Sequence, residues 1–346
     1  MKIIYSGIYG ENYDAARVPS FECNNFYLTL KHMKGVEVVE YIYDPIIAIG
    51  KEEWNKELLA LVKKEKPDML FAFMYTDEFD LKTLDEIKKL TTSVAWFADD
   101  YWRFFNYSKH WPAHFTYIVT TYSRAAEWYK KMGFENVILS QWACNTRTYK
   151  PVDIKKDIEV SFVGQCKPAR AQAIEALRHA GVEVQCFGFG WPNGAVPEDK
   201  KLEIFGRSKI NLNLTARQDI FSWSVIARIF LKRSMSTIAP DFHILDNLRA
   251  ALHFGTPHTH ARPFELAGCR AFVISGWSED IGNYYEDGKE MVFYKNDREL
   301  EEKVRYFLAH DDEREHIARA GYERTMRDHT YEKRFTEIFK TAGLTN

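Results

Sequence analysis

Short apolar runs of strand length alternate with segments of helical periodicity along most of the chain. Parallel strands need crossover connections of a dozen or more residues, and helices usually supply them. The alternation therefore predicts an α/β fold with parallel sheets covered by helices. In the first half, the predicted strands are residues 2–6, 36–43, 69–74, 93–97, 117–120 and 136–139, and the predicted helices are 25–33, 52–64, 81–90 and 123–132.

A polar, turn-rich segment at 151–157 separates this half from a second one with the same pattern. The pattern breaks at 215–260, where only helices near 223–232 and 244–253 are predicted. Because 346 residues exceed what one hydrophobic core usually serves, we predict two domains and a terminal helix, with bounds 1–150, 151–328 and 329–346. The other elements predicted in this half are strands 158–163, 182–187, 209–214, 271–275 and 291–294, and helices 170–180, 263–267, 297–309, 311–328 and 331–341.

Composition and charge exclude several classes of protein. The formal net charge of −2 provides no field that would attract nucleic acid. The five cysteines form no Cys-x-x-Cys pair, so neither a disulfide framework nor a zinc site is expected, and a reducing cytoplasm fits best. The first residues read as a strand rather than a signal peptide, and no apolar run reaches the length of a membrane span. We therefore expect no transmembrane segment and a cytoplasmic protein.

The segment 164–170 follows a predicted strand and opens a predicted helix. Free backbone N–H groups at a helix start attract anions, and here Gly164 is followed by the cations Lys167 and Arg170. The segment matches neither of the common glycine-rich phosphate loops. It predicts either a phosphate contact or an ordinary strand-to-helix turn with solvated basic side chains.

The segment 258–269 concentrates chemically active side chains just before and inside a predicted helix start. It contains His258, His260, Arg262 and Glu265, with Pro263 in the first helical turn. Arg262 is suited to clamp a diphosphate, and Glu265 to accept hydrogen bonds from ribose hydroxyls. The alternative is a helix-capping carboxylate beside a surface arginine. No third metal ligand stands near the two histidines, so no metal is expected.

Asp99 and Asp100 follow the predicted strand 93–97, among aromatic residues. Adjacent carboxylates can raise one another's pKa, and a carboxylate tuned in this way could deprotonate an acceptor hydroxyl. The alternative is that these residues cap a helix or pair with Arg103.

Taken together, these motifs resemble the CgeB-like, group 1 type glycosyltransferases. The resemblance spans nearly the whole chain and is strongest between 160 and 300. The segments that carry it are Phe162–Gly164 with Arg170, the turn Phe187–Trp191, Ser208–Asn213, Arg262–Phe272, Tyr285–Glu290, Asp297–Leu300, Trp96–Asp100 and Ser140–Ala143.

The resemblance implies a GT-B fold, in which two Rossmann-like domains face each other across a cleft. The donor nucleotide would bind mainly to the C-terminal domain and the acceptor to the N-terminal one, no metal would be required, and the last helix would cross back to the first domain. Glu265 would correspond to the later glutamate of the Glu-x7-Glu donor motif, which holds the ribose. Pro257 stands in place of the earlier glutamate, so the donor sugar cannot be read from the family.

The resemblance thus implies transfer of a glycosyl group, of the hexosyl type, from a nucleoside diphosphate sugar to an acceptor hydroxyl. Arg262 with Lys167 or Lys209 would stabilise the leaving diphosphate, and Tyr284 or Tyr285 would border the donor pocket. Asp99 or Asp100 would be the base if the enzyme inverts configuration. Two alternatives stay open: a sugar-nucleotide epimerase of the same fold, and a non-catalytic binding or spore-coat-type protein, which the residue at position 257 favours.

Overall fold

The computed structural model describes residues 1–14, 16–17, 19–215 and 222–344. In chain order, its strands are β1 Lys2–Ser6, β2 Glu37–Glu40, β3 Met69–Phe73, β4 Thr92–Phe97, β5 Tyr117–Thr120, β6 Val137–Leu139, β7 Ile158–Val163, β8 Val184–Phe187, β9 Ser208–Asn213, β10 Leu231–Ser234, β11 Thr237–Pro240, β12 Val273–Gly276 and β13 Val292–Tyr294.

The α-helices are α1 Leu28–His32, α2 Ile46–Ile49, α3 Lys51–Glu65, α4 Leu81–Leu90, α5 Asp100–Arg103, α6 Ser123–Lys131, α7 Pro168–His179, α8 Glu198–Arg207, α9 Trp223–Phe230, α10 Ile244–His253, α11 Arg262–Gly268, α12 Asp297–Leu308, α13 Asp311–Asp328 and α14 Tyr331–Thr341. A π-helical turn at Cys23–Tyr27 precedes α1, where one continuous helix was predicted.

These elements form two compact units. Unit 1 contains the described residues of 1–141, 219–256 and 331–346, and unit 2 contains those of 142–218 and 257–330. The predicted second domain ran continuously from 151 to 328, whereas unit 2 is interrupted by the segment that the sequence pattern left largely unassigned.

Unit 1 is built on a six-stranded parallel sheet in the order β2-β1-β3-β4-β5-β6. The strand residues of β3 are all buried, which is expected of a central parallel strand covered on both faces. Helix α14 belongs to this unit because the ring of Phe335 lies 5.6 Å from the rings of both Phe26 and Phe71. The prediction that the last helix crosses back to the first domain is confirmed.

Unit 2 is built on a five-stranded parallel sheet in the order β13-β12-β9-β7-β8. One side of its core is lined by α7 and α12, with Ile174, Leu177 and Val304 buried there. The other side is lined by α8 and α11, with Phe205 and Phe264 buried there. Two parallel sheets covered by helices confirm the predicted α/β class.

The segment 222–256 forms α9, the antiparallel hairpin β10–β11, and α10. It packs on unit 1 because its inner face meets α5 and the residues that follow α5. The ring of Phe254 lies 4.5 Å from that of Trp102, and the amide of Asn106 donates to Asn247 Oδ1 at 2.9 Å. These contacts join residues far apart in sequence, so no local pattern indicated them.

Candidate functional site

Loops from three neighbouring strands meet at the carboxyl edge of the unit 2 sheet. Arg170, in α7 after β7, donates from Nε to the carbonyl oxygen of Leu214 at 3.0 Å, and Leu214 directly follows β9. Thr259 Oγ1 lies 2.8 Å from the Oγ of Ser278, which follows β12. In open α/β sheets, ligands bind outside this edge.

An ion pair within α11 lies at this edge. Arg262 Nη1 is 2.9 Å from Glu265 Oε2, one helical turn further along. The Glu265 carboxylate is only 6% exposed, and the Arg262 side chain is 24% exposed. Burial acts to lower the pKa of Arg262, but the negative charges of Glu265 and Glu198 leave it raised. The guanidinium therefore stays charged and has an anionic partner in place.

Three further residues lie near Arg262 or act on its charge, and no sequence motif indicated them. The Phe205 ring centre lies 5.5 Å from Arg262 Cζ, and Tyr149 is buried beside Glu265 and Glu198. Burial acts to raise the pKa of Glu198, but hydrogen bonds from Lys201 and Tyr149 and the charge of Arg262 leave it lowered. Arg262 thus lies near the Phe205 ring and pairs with Glu265, and Glu198 also contributes negative charge to its surroundings.

Cationic and imidazole side chains gather next to this pair. The rings of His258 and His260 are 4.1 Å apart. Burial, followed by the charges of His258, Arg170, Lys167 and Arg262, lowers the pKa of His260 well below its ordinary value. Such mutual influence requires these groups to lie close together, so the two predicted segments, 164–170 and 258–265, converge on one place.

The loop that carries Lys167 is held by close backbone contacts. Trp191 Nε1 donates to the Gly164 carbonyl oxygen at 2.9 Å, and Cys166 N–H donates to the Phe189 carbonyl oxygen at 2.9 Å. Gly188 has a φ of 128°, and a Cβ there would lie 2.3 Å from the Gly164 oxygen. Only glycine permits this approach, which fixes the start of α7.

The other three predicted donor residues, Lys209, Tyr284 and Tyr285, also belong to unit 2. Lys209 stands near the amino end of β9, and its charge acts on Asp311 at the start of α13, so it does not join the group. Tyr285 is buried and its hydroxyl lies 2.8 Å from Thr325 Oγ1. The Tyr284 ring packs against those of Phe264 and His329. Tyr285 is therefore a core residue.

The two predicted acidic residues belong to unit 1. Asp100 is fully buried in α5, and its Oδ2 accepts a hydrogen bond from the Tyr129 hydroxyl at 3.1 Å. Burial raises the pKa of Asp100 to about 6, although hydrogen bonds including that of Tyr129 oppose the shift. Asp99 is half-buried and stands at the N-cap of α5. Asp100 faces the core, and only Asp99 is partly accessible.

Within the described ranges, no group of three or more His, Cys, Asp or Glu side chains is arranged to hold a metal ion. In the same part of the chain, no helix combines the length and apolarity that a membrane crossing requires.

Comparison with known proteins bears on the fold. Residues 240–340 match the family model described as glycosyl transferase-like. No curated protein sequence matches the chain. HepE from Anabaena, solved with UDP, is 11% identical and superposes with a TM-score of 0.59 over the whole of both chains.

Two further solved structures agree with this result. Sucrose-phosphate synthase from Thermosynechococcus elongatus has 9% identity and a TM-score of 0.60, over 99% of this chain and 98% of its own. The lipopolysaccharide outer core galactosyltransferase WaaB has 11% identity and a TM-score of 0.54, over 99% and 100%. These structures superpose over nearly the whole chain although their sequences differ from it at most positions. They therefore establish the architecture: the chain has the GT-B fold of glycosyltransferases.

Proposed function

We propose that the protein transfers a glycosyl group, of the hexosyl type, from a nucleoside diphosphate sugar to the hydroxyl of an acceptor. The observation that carries this proposal is the ion pair Arg262–Glu265. It lies at the same carboxyl edge of the unit 2 sheet as Lys167, Arg170 and His260. A buried carboxylate beside several cations suits a ligand that has both hydroxyl groups and a diphosphate.

We propose that the cations stabilise the leaving group of the reaction. As the glycosyl bond breaks, negative charge develops on the departing nucleoside diphosphate, and fixed positive groups lower the energy of that state. Lys167, Arg170 and Arg262 supply this charge, together with the N-terminus of α7. We propose that these side chains take the role that a bound metal has in other transferases.

Glu265 is assigned to the ribose of the donor. A carboxylate accepts hydrogen bonds at both oxygens, so a bond to a ribose hydroxyl is compatible with the ion pair that Oε2 makes with Arg262. Gln at this position would keep an acceptor oxygen but lose the ion pair.

We propose one candidate for the catalytic base, whereas the family resemblance implied two. Asp100 is enclosed in the core of unit 1, which leaves Asp99 as the carboxylate to activate an acceptor hydroxyl if the enzyme inverts configuration. A retaining enzyme would need no such base. Assignment to the CgeB-like group and a cytoplasmic location are parts of the same proposal.

The test begins with ligand-induced stabilisation. A ligand that binds only the folded state raises the unfolding temperature by mass action. UDP and UDP-glucose are the first probes, because HepE, which has the same fold, was solved with both. GDP- and dTDP-sugars follow. No stabilisation by any of them would contradict the proposal.

Two matched variants locate the site. Lys167→Ala should weaken donor binding by about tenfold or more, because it removes a charged partner of the diphosphate. Lys209→Ala removes the same side chain from the amino end of β9 and should bind as the unmodified protein does. Equal effects of the two variants would contradict the placement of the site.

Turnover separates the alternatives. Transfer or donor hydrolysis that is lost in Arg262→Ala and Glu265→Ala supports a transferase. Binding without turnover would favour the non-catalytic protein that Pro257 suggests, since the residue that contacts the donor sugar in the family is missing. Isomerisation of the donor sugar in the absence of any acceptor would favour the epimerase.

A further inference from the structure

Large apolar side chains are exposed on the segment 222–256. We call this surface the insert face. Its six most prominent members, whose exposed fractions range from 55% to 87%, are Trp223, Phe230, Ile238, Phe242, Leu245 and Leu252. Exposed apolar side chains that are concentrated in one segment, rather than scattered singly over the protein, mark interaction surfaces.

The pattern along the two helices shows that this exposure is organised. In α10, Leu245, Leu248 and Leu252 are exposed and recur at the spacing of one helical face, while Asn247 and Ala250 are buried on the opposite side. In α9, Trp223 and Phe230 are exposed and Val225 is buried. Each helix therefore has exposed apolar side chains on the face opposite to the one that packs on the protein.

The elements that carry the insert face are packed against each other and against the rest of unit 1. α9 packs against α10, and the Asp241 N–H donates to the Phe230 carbonyl oxygen at 2.7 Å, so Phe242 stays beside the end of α9. The packed side is anchored to unit 1 by Lys109, whose Nζ lies 2.7 Å from Asp246 Oδ2, and by the Trp102–Phe254 ring contact. The exposed side chains are thus presented by a packed structure.

The net charge of this segment is positive, whereas the net charge of the whole chain is negative. Residues 222–256 contain four basic residues, Arg228, Lys232, Arg233 and Arg249, and two acidic ones, Asp241 and Asp246, whereas the chain carries a net charge of −2. Both acidic groups are engaged: Asp241 is 2.7 Å from His243 Nδ1, and Asp246 is 2.7 Å from Lys109 Nζ and 3.9 Å from Arg249 Nη1. Lys232 and Arg249 are exposed.

We propose that the insert face binds the surface of a bilayer that contains anionic lipids. Aromatic and leucine side chains would enter the boundary between headgroups and acyl chains, and Lys232 and Arg249 would contact lipid phosphates. A second copy of the chain is a poorer occupant, because it would bring the same excess of positive charge to the interface.

The experiment is co-sedimentation of the full chain with vesicles. One set is phosphatidylcholine alone, and the other contains about a third phosphatidylglycerol, which gives the negative surface potential that the cations require. We expect binding to the anionic vesicles and weaker binding to the neutral ones. The double variant Phe242→Ser with Leu252→Ser should lower the affinity for anionic vesicles by about tenfold or more.

Matched controls use the same chemistry on other exposed positions of unit 1. Leu90→Ser with Met132→Ser removes two exposed apolar side chains and should leave vesicle binding unchanged. Lys232→Glu with Arg249→Glu should abolish the preference for anionic vesicles, whereas Lys82→Glu with Lys130→Glu, which makes the same change in net charge at exposed sites, should keep it.

Three results would overturn the proposal. The first is the absence of binding to anionic vesicles, and the second is equal binding to neutral ones. The third is a dimer, seen by light scattering, that Phe242→Ser with Leu252→Ser dissociates, combined with no co-sedimentation of the unmodified protein with vesicles. This result would assign the insert face to a second copy.

Discussion

Gly268, the last residue of α11, lies directly against Cys144. A Cβ at position 268 would be 2.2 Å from Cys144 Sγ and 3.3 Å from Cys144 Cβ. Cys144 is itself fixed, because it is buried and its N–H donates to the His329 carbonyl oxygen at 2.9 Å. The helix that carries Arg262 and Glu265 is therefore seated against this sulfur, which explains the glycine at this position.

Gly268→Ala should destabilise the protein by about 1 to 3 kcal/mol, because the added methyl overpacks a buried contact. Cys144→Ala removes the sulfur and should relieve the clash in the double variant. Chemical denaturation of the four proteins of this cycle measures the coupling. Additive losses in the double variant would show that the two side chains do not meet.

Glu198 compensates the charge of Arg262 in the absence of ligand. Glu198→Gln removes one compensating carboxylate, so the ligand-free protein should lose stability, by no more than about 1 kcal/mol because Glu198 is partly exposed. A bound diphosphate would replace the lost charge, so the same variant should bind UDP up to about fivefold more tightly. Denaturation and calorimetry measure the two effects.

The control for this prediction lies in the same helix. Glu203→Gln removes an exposed carboxylate that pairs with Lys200 and Arg207, away from Arg262. It should alter neither stability nor UDP affinity appreciably. If Glu198→Gln weakened UDP binding, Glu198 would act by orienting Arg262 rather than by balancing its charge.

The strands of both sheets were predictable because buried parallel strands are apolar along their whole length, as in Met69–Phe73. The pairing of Arg262 with Glu265 could be anticipated because the two residues are one helical turn apart in sequence. Glu198 and Tyr149 approach Arg262 only through the tertiary fold, and nothing local distinguishes Glu198 from any acidic residue in a first helical turn.

Two other differences have physical causes. Lys209 lies in a segment that carries the family resemblance, yet it is the second residue of β9, and the direction of this parallel strand places it at the amino edge of the unit 2 sheet, opposite the edge where Leu214 lies. In 222–256 the two helices lie close to their predicted bounds, whereas the hairpin β10–β11 was missed because its strands have four residues each and are mostly exposed, so no alternation of buried apolar residues marks them.

The buried carboxyl of Asp100 should make stability depend on pH. Its pKa is raised from an ordinary 3.8 to about 6, so the folded state holds a proton that the unfolded chain releases. Stability should therefore fall as the pH rises between these values, by about 2 to 3 kcal/mol in total, and change little above them. Asp100→Asn should lack this dependence when denaturation is followed across the range. Parallel curves for the two proteins would contradict it.

Donor binding should be coupled to proton uptake at His260. Burial and the neighbouring cations lower the pKa of His260, so its ring is neutral in the free protein near pH 7. A bound diphosphate would place negative charge among the same groups and raise that pKa, so binding at about pH 6 should take up as much as one proton. Calorimetry of UDP binding in buffers of different ionisation enthalpy measures the number of protons taken up.

UDP itself titrates in this range, so the decisive quantity is the difference in proton uptake between the unmodified protein and His260→Asn. The control is His316→Asn, which replaces an exposed histidine of α13. Equal proton uptake by all three proteins would place the diphosphate away from His260.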